Sequence, residues 1–412
     1  MSFQQGLSGL NAASTNLDVI GNNVANASTV GFKSASTQFS DVFASATGGG
    51  AGVQAGLGVI ASGTSQNFGQ GNINTTSNPL DLAINGAGFF VLSRNGTTVY
   101  SRDGEFQVNA TGQIANAAGD LLQGYPVNAA TGVVQTGSTG PITVSTADIA
   151  PQPTSTASIV ANFNSSATSL NPANFNFTNP ATYTNSTTLQ IYDSLGNTHN
   201  LSLYFVKSTA GADQYDVRAQ LDGNAVNAGA TVGTIAFTSA GAINAGTTTF
   251  PSALSLTVGG GATTPQAVTL DFTGSTGYGS PFGVTTANQN GYGAGTLTGY
   301  SISSTGIFQA SYSNGRTASL GQVVLANFSD PQGLQSVGKN AWVQTPATGT
   351  PLVGAPSTGT LGALQSGALE QSNVDLTSEL VNMITAQRDY QASAESIKTQ
   401  SALLQTLVQI AG

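Results

Sequence analysis

Acid–base or metal chemistry in this chain would have to be built on His199, the only histidine among 412 residues that include no cysteine. A lone imidazole has no second histidine or thiolate with which to complete a zinc set. It also stands at the start of an expected strand, directly after the turn at Gly196-Asn197. Asp193 and Asp271 are widely separated, and no D-x-D-x-D-G calcium loop occurs. The clusters Gly277-Tyr278-Gly279 and Gly291-Tyr292-Gly293-Ala294-Gly295 miss the dinucleotide spacing and open no helix, so they read as loops. Neither the phosphate loop G-x-x-x-x-G-K-S/T nor the nucleophile elbow G-x-S-x-G is found. Trp342 and the scattered tyrosines suit either a sugar platform or packing, and packing is the better reading. Eighteen acids offer carboxylate pairs of the kind a glycosidase needs, but no spacing singles one out. No catalytic, cofactor-binding or metal-binding residue is assigned, no cofactor is implied, and the chain reads as a non-enzyme.

The spacing that does carry meaning is apolar. Leu376, Met383, Tyr390, Ile397 and Leu404 recur every seven residues, with Leu380 on the same face. That is a coiled-coil stripe over about five heptads. At about 1.5 Å per residue it implies a helix on the order of 50 Å long from Asp375 to Gly412, with Asp375 and Glu379 near its start, where the helix dipole favours anions. At the other end Phe3, Leu10, Leu17 and Val24 repeat every seventh residue, with Leu7 and Ile20 beside them. These twelve residues are the candidate assembly residues. Gly6, Gly9 and Gly21 weaken the first helix by up to about 1 kcal/mol each, so on its own it is marginal in water. The economical arrangement pairs the two termini. Because the outer faces of the C-terminal helix are polar yet almost uncharged, they suit packing against helices of other subunits. Two readings stay open: self-association, or terminal helices lying on a globular core.

Only 7% of residues are charged, and the net charge of −9 argues against nucleic acid and anionic membranes as partners. No apolar run is long enough for membrane insertion, and the N-terminus shows no cleavable signal peptide. An acidic, cysteine-free, Gly- and Thr-rich chain fits an extracellular life. Between the ends the pattern turns to β structure. Strands are expected at 81–85, 88–93, 97–102 and 105–108, with a hairpin turn at Arg94-Asn95-Gly96. Further strands are expected at 187–192 and 200–206 across Asp193-Ser194-Leu195-Gly196-Asn197, and at 215–221, 235–237, 268–272, 297–303, 307–313 and 320–328. Pro151-Gln152-Pro153 suits a linker. The fold class is mainly β with α-helical termini: nested discontinuous β domains on a coiled-coil-like pair of N- and C-terminal helices. Residues 1–30 and 366–412 form the helical domain, 31–70 a connecting segment anchored by Phe32, Phe39 and Phe43 with a flexible tip at Gly48-Gly49-Gly50, 71–145 and 290–365 one discontinuous β domain, and 146–289 an inserted outer β domain.

Several motifs resemble those of the bacterial flagellar rod and hook axial proteins. They are Gly9-Leu10-Asn11-Ala12-Ala13, the run Asn16-Leu17-Asp18-Val19-Ile20-Gly21-Asn22-Asn23-Val24-Ala25-Asn26, and Gly31-Phe32-Lys33. Tyr100-Ser101-Arg102-Asp103-Gly104-Glu105-Phe106 and Leu320-Gly321-Gln322-Val323-Val324-Leu325-Ala326-Asn327-Phe328 continue the likeness, as do Gly367-Ala368-Leu369-Glu370-Gln371-Ser372-Asn373-Val374-Asp375-Leu376 and Ala386-Gln387-Arg388-Asp389-Tyr390-Gln391. Roughly 140 residues at 146–289, the size of one domain, separate the chain from the shorter distal rod members and favour the hook branch. The resemblance implies a structural subunit that polymerises with itself into a helical tube, curved and flexible, serving as a universal joint between rod and filament. It further implies export by the flagellar type III export apparatus without a cleaved signal peptide. Contacts would follow with the distal rod protein, the hook cap protein and the hook–filament junction protein, on the outside of the cell and attached to the basal body. A distal rod-like axial protein and a secreted β-rich adhesin are the alternatives.

Overall fold

The computed structural model describes residues 2–42, 58–128, 131–144, 147–209, 211, 213–250 and 253–411. The fold is mainly β with one long helix at each end: α1, Ser2–Ala25, and α2, Leu376–Ala411. The chain forms two compact units. The first holds residues up to 146, 299–311 and 317 onward; the second holds 147–298 and 312–316.

In the first unit the two ends of the chain run side by side. Beyond the helices, Ile73–Thr75 pairs antiparallel with Ala368–Glu370, and Leu82–Asn85 with Ala363–Ser366. The main sheet is ordered Leu297–Ile302, Ile307–Tyr312, Thr317–Val323, Leu121–Pro126, Phe89–Arg94, Thr97–Ser101, Ala341–Val343, Gln335–Ser336. The hairpin joining Phe89–Arg94 to Thr97–Ser101 pairs Arg94 with Thr97. Its loop is therefore just Asn95-Gly96, both at positive φ (50° and 85°), the type I′ geometry that asparagine and glycine tolerate. Leu82, Ile84, Phe90, Leu92, Phe106, Ile114, Phe308 and Val323 build one core. A second cluster stacks edge-to-face rings: Phe68 and Phe89 pack on a buried Trp342 and Phe328 packs on Phe89, while Trp342 Nε1 donates to Gln66 Oε1 at 2.7 Å. Trp342 is thus a packing residue.

The second unit is a pair of sheets. One runs Leu254–Leu256, Gln266–Asp271, Thr156–Asn162, Gly283–Gln289; the other runs Asn185–Tyr192, Thr198–Lys207, Gln214–Leu221, Asn224–Ala225. Strict alternation along Gln214–Leu221 sends Tyr215, Val217, Ala219 and Leu221 inward, where they meet Ile159, Phe163, Leu203 and Phe205. Phe163 sits at the centre, its ring 4.9 Å from that of Phe205 and 5.0 Å from that of Tyr215.

Several expectations need correction. The segment 31–70 is not merely connecting: Ala35–Asp41 and Val59–Gln66 form an antiparallel ribbon with a bulge between Gln38 and Phe39. Phe39 is exposed rather than an anchor and Phe32 is half-buried, while Phe43 and Gly48-Gly49-Gly50 lie outside the described residues. Pro151-Gln152-Pro153 is no free linker, because Gln152 exchanges backbone hydrogen bonds with Tyr292 at 2.9 Å in both directions. The run 320–328 breaks at Val324 into Thr317–Val323 and Leu325–Asn327; the second piece pairs with Phe89–Arg94 and with Leu352–Gly354.

Candidate assembly surface

Asp375 starts α2. Its Oδ1 accepts from the backbone N–H of Thr377 at 2.9 Å and of Ser378 at 3.2 Å, and its carbonyl accepts from Glu379 N. Two of the four orphan donors of the first turn are satisfied by that side chain, worth about 1 kcal/mol.

The helices lie antiparallel. Gly6 faces Ile397, Gly9 faces Ser393, and Asn23 Nδ2 donates to Glu379 Oε1 at 3.3 Å. Approach is close: a Cβ added at Gly6 would stand 2.9 Å from Ile397 Cγ1, and one at Gly9 would stand 3.1 Å from Ser393 Oγ. Asn23 is itself buried and locks the end of the pair, accepting from Ala35 N at 2.9 Å and donating to Ala35 O at 2.7 Å. On α2 the covered positions are Glu379, Met383, Ala386, Ser393, Ala394, Ile397 and Gln400, all but Ala394 at coiled-coil spacing.

Of the twelve candidate assembly residues, only Ile20 is buried; Leu10, Leu17, Val24, Met383 and Ile397 are half-buried. Phe3, Leu7, Leu376, Leu380, Tyr390 and Leu404 are exposed by 38% to 57%. Val381, Ile384 and Leu403 add 51% to 63% exposed apolar side chains to α2. The pairing of the two termini is therefore present, but six of the twelve candidate residues are left outside its seam. Glycines at 6 and 9 leave room for the side chains of Ile397 and Ser393 against the α1 backbone, which a Cβ at either position would take up.

Sequence reasoning missed a second feature, a buried clasp just below the helices. Glu370 accepts from Lys33 Nζ at 2.6 Å through Oε1 and from Arg102 Nη1 at 2.9 Å through Oε2, with all three side chains at most 4% exposed. Gly71 N also donates to Oε1 at 2.9 Å, Lys33 Nζ to Gly69 O at 2.8 Å, and Arg102 Nη2 to Gly86 O at 2.8 Å. Gly31, at φ 68°, lets the chain pass so close to Arg102 and Asp103 that a Cβ there would be 2.5 Å from Asp103 N. Burial pushes the Lys33 ammonium below its ordinary range, against the pull of Glu370, with Arg102 adding to the lowering. Burial likewise lowers Arg102, again opposed by Glu370. The available signal was three charges set among small and apolar residues in a chain nearly free of charge.

In the second unit His199 lies between two carboxylates, with Nδ1 2.6 Å from Asp222 Oδ2 and Nε2 3.3 Å from Asp193 Oδ2. Burial alone would raise Asp193, but hydrogen bonds from the Asn197 side chain and N–H, from His199 and from Leu195 N–H hold it down at about 2. Asp193 thereby ties the turn 193–197. Among the described residues no group of three or more His, Cys, Asp and Glu could hold a metal ion.

Family comparisons fall on these same elements. The model described as flagella basal body rod protein matches residues 3–33, covering α1 and ending on Lys33. The flagellar hook protein FlgE/F/G D1 domain matches 83–161, which includes Arg102, and the flagellar basal body protein FlaE D2 domain matches 162–292. The flagellar basal body rod FlgEFG protein C-terminal model matches 365–410, from just before Glu370 through α2. Along its full length the chain is 40% identical to the flagellar hook protein FlgE of Salmonella typhimurium over 418 residues and to that of Escherichia coli over 420, each alignment covering 100% of both chains. It belongs to the flagellar hook protein FlgE family. The fold is also similar to the crystal structure of Helicobacter pylori flagellar hook protein FlgE2, with a TM-score of 0.55 at 14% identity over 72% of this chain and 100% of that one. In this member of the FlgE family, three of the four matched segments supply the buried clasp or the helices above it.

Proposed function

We propose that this protein is the structural subunit of a bacterial flagellar hook, assembling with further copies of itself into a tube. The observation that carries this beyond family membership is the apolar face left on a helix pair whose own seam is already closed. Side chains such as Leu380, Ile384 and Leu7 stay in water unless another chain covers them. The twelve candidate residues are the ones we assign to assembly, Ile20, Met383 and Ile397 by holding the helix pair together and the others as contacts with further copies, and 146–289 is read as the outer domain of the subunit. As a hook subunit it is exported unfolded by the flagellar type III apparatus, adds outside the cell beneath a cap protein, and links the distal rod to the hook–filament junction. A curved, flexible tube then transmits torque as a universal joint. It is a structural protein, not an enzyme.

Electron microscopy of the purified chain tests this. Wild type forms hollow tubes. Leu380→Asp or Leu10→Asp stays monomeric with its β units folded, because an unpaired charge in a helix interface costs several kcal/mol. Tubes from either variant would remove these residues from the assembly surface.

A further inference from the structure

The two stretches that build the first unit meet in nested order, and along the chain the second unit lies inside the nest. Going outward from it, Gly124 pairs with Val323 and Ile84 with Leu364, Lys33 meets Glu370, and Gly6 faces Ile397. Each pair encloses the one before it. The innermost must already close about 200 residues of chain, and the chance of closure falls with about the three-halves power of that length. The second unit faces no such barrier. Its strands Asn185–Tyr192, Thr198–Lys207 and Gln214–Leu221 pair in sequence order. Thr188 and Ser202 share a hydrogen bond 14 residues apart, and Tyr204 reaches Gln220, 16 residues on. Contacts of so short a range form fastest.

Folding of the second unit also sets Gln152 beside Tyr292, their backbones exchanging two hydrogen bonds at 2.9 Å. The loop between Gly124 and Val323 then shrinks from about 200 residues to about 60. By the same power law their encounter becomes about sixfold more frequent. We propose that the second unit is a folding clip. It folds first and shortens the loop, and the first unit then zips outward from it, ending with the α1–α2 pair. This order follows from the topology alone. One consequence rests on the export reading: a chain delivered unfolded completes its two helices, and with them its assembly surface, last.

Refolding from urea tests the clip without any tube being formed, so its failure and that of the hook reading are separate events. The unfolding pulse is kept too short for X-Pro bonds to isomerise. Pulse-labelled hydrogen exchange should find amides of Gln214–Leu221 protected first, those of Phe89–Arg94 next, and those of α1 and α2 last. Helix amides protected before Gln214–Leu221 overturn the proposal. Phe205→Asp puts a charge into the core of the second unit and should slow the burial of Trp342 about sixfold. Adding Gln152→Cys with Tyr292→Cys, oxidised to a disulfide in a chain with no other cysteine, closes the same loop covalently. It should restore the wild-type rate. An unchanged rate in Phe205→Asp, or a slowed rate that the disulfide leaves slow, overturns the clip. Should Phe205→Asp keep Trp342 from being buried at all, the disulfide must bring its burial back; continued exposure overturns the clip as well.

Discussion

At the scale of single residues, Glu370 is the most consequential group in the first unit. Among the described residues it is the only carboxylate paired with two buried cations, and it joins the segment after α1, the hairpin carrying Arg102 and the segment before α2. Removing one partner of a buried ion set leaves charge without compensation and typically costs about 3–5 kcal/mol, far more than a surface pair is worth. Glu370→Gln, equal in size but uncharged, should therefore lower the stability of the first unit by about 3 kcal/mol in urea unfolding followed through Trp342, the single tryptophan, buried in that unit. A loss below about 1 kcal/mol would show that the hydrogen bonds alone hold the clasp. His199 supports a second prediction. Burial would lower its pKa, but the carboxylates of Asp222 and Asp193 outweigh that and raise it above the ordinary histidine value. A raised imidazole stabilises the fold below pH about 6.5 and loses that contribution as pH climbs through the folded value. Asp193, held at about 2, acts in the other sense: its contribution is full above pH about 4 and fades as pH falls towards 2. The turn at 193–197 should then be firmest between those limits. Because the chain has one histidine, its imidazole Hε1 signal reports alone, and an NMR titration midpoint at or below 6.5 would refute the pairing.

At the scale of elements, the α1–α2 seam depends on what is missing from α1. Glycine inside a helix costs up to about 1 kcal/mol against alanine, so on propensity Gly9→Val removes a weak point. The seam reverses the sign, because a branched side chain must displace Ser393 and overpacking costs about 1–3 kcal/mol. Gly9→Val should therefore speed hydrogen exchange of α1 amides in the monomer, and pairing it with Ser393→Gly should restore protection. Slow exchange in the single variant would mean the helices can part slightly without harm. The same geometry explains what periodicity could reveal. A step of 3.5 is visible in the leucines and isoleucines and identifies both helices. It says nothing of whether the apolar face meets the chain's own partner or another copy, since Gly6, Gly9 and Ser393 do not register on a hydrophobic scale. Strands were legible where one face is buried, as along Gln214–Leu221, or where a turn is forced, as at Asn95-Gly96. They were illegible in Ala35–Asp41 and Val59–Gln66, whose residues are mostly exposed and scarcely alternate. The clasp was out of reach for another reason: its three charges lie up to 337 residues apart, and only the folded ends bring them together.

At the scale of the whole molecule, the two units have separable cores. The clusters of the first unit draw on residues 80–144 and 300–364 besides Phe68, and the cluster of the second draws on 157–282. Where the chain enters and leaves the second unit, Ile149 and Gly295 exchange backbone hydrogen bonds at 2.9 and 3.3 Å, an antiparallel contact whose Cα atoms stand about 5.5 Å apart. A short glycine joint can span that gap. Replacing residues 150–294 by Gly-Gly should therefore leave Trp342 in its ring cluster, with blue-shifted emission and a cooperative urea transition of its own. Since every candidate assembly residue lies on the two helices, the shortened chain should still form tubes. If the second unit forms the outer layer that shapes a hook, those tubes should differ from wild type in curvature or bending stiffness under the electron microscope. Red-shifted Trp342 emission would show that the first unit cannot stand without the second. Blue-shifted emission without tubes would place part of the assembly surface on the excised residues. Tubes indistinguishable from wild type would remove residues 150–294 from any part in setting the shape of the joint.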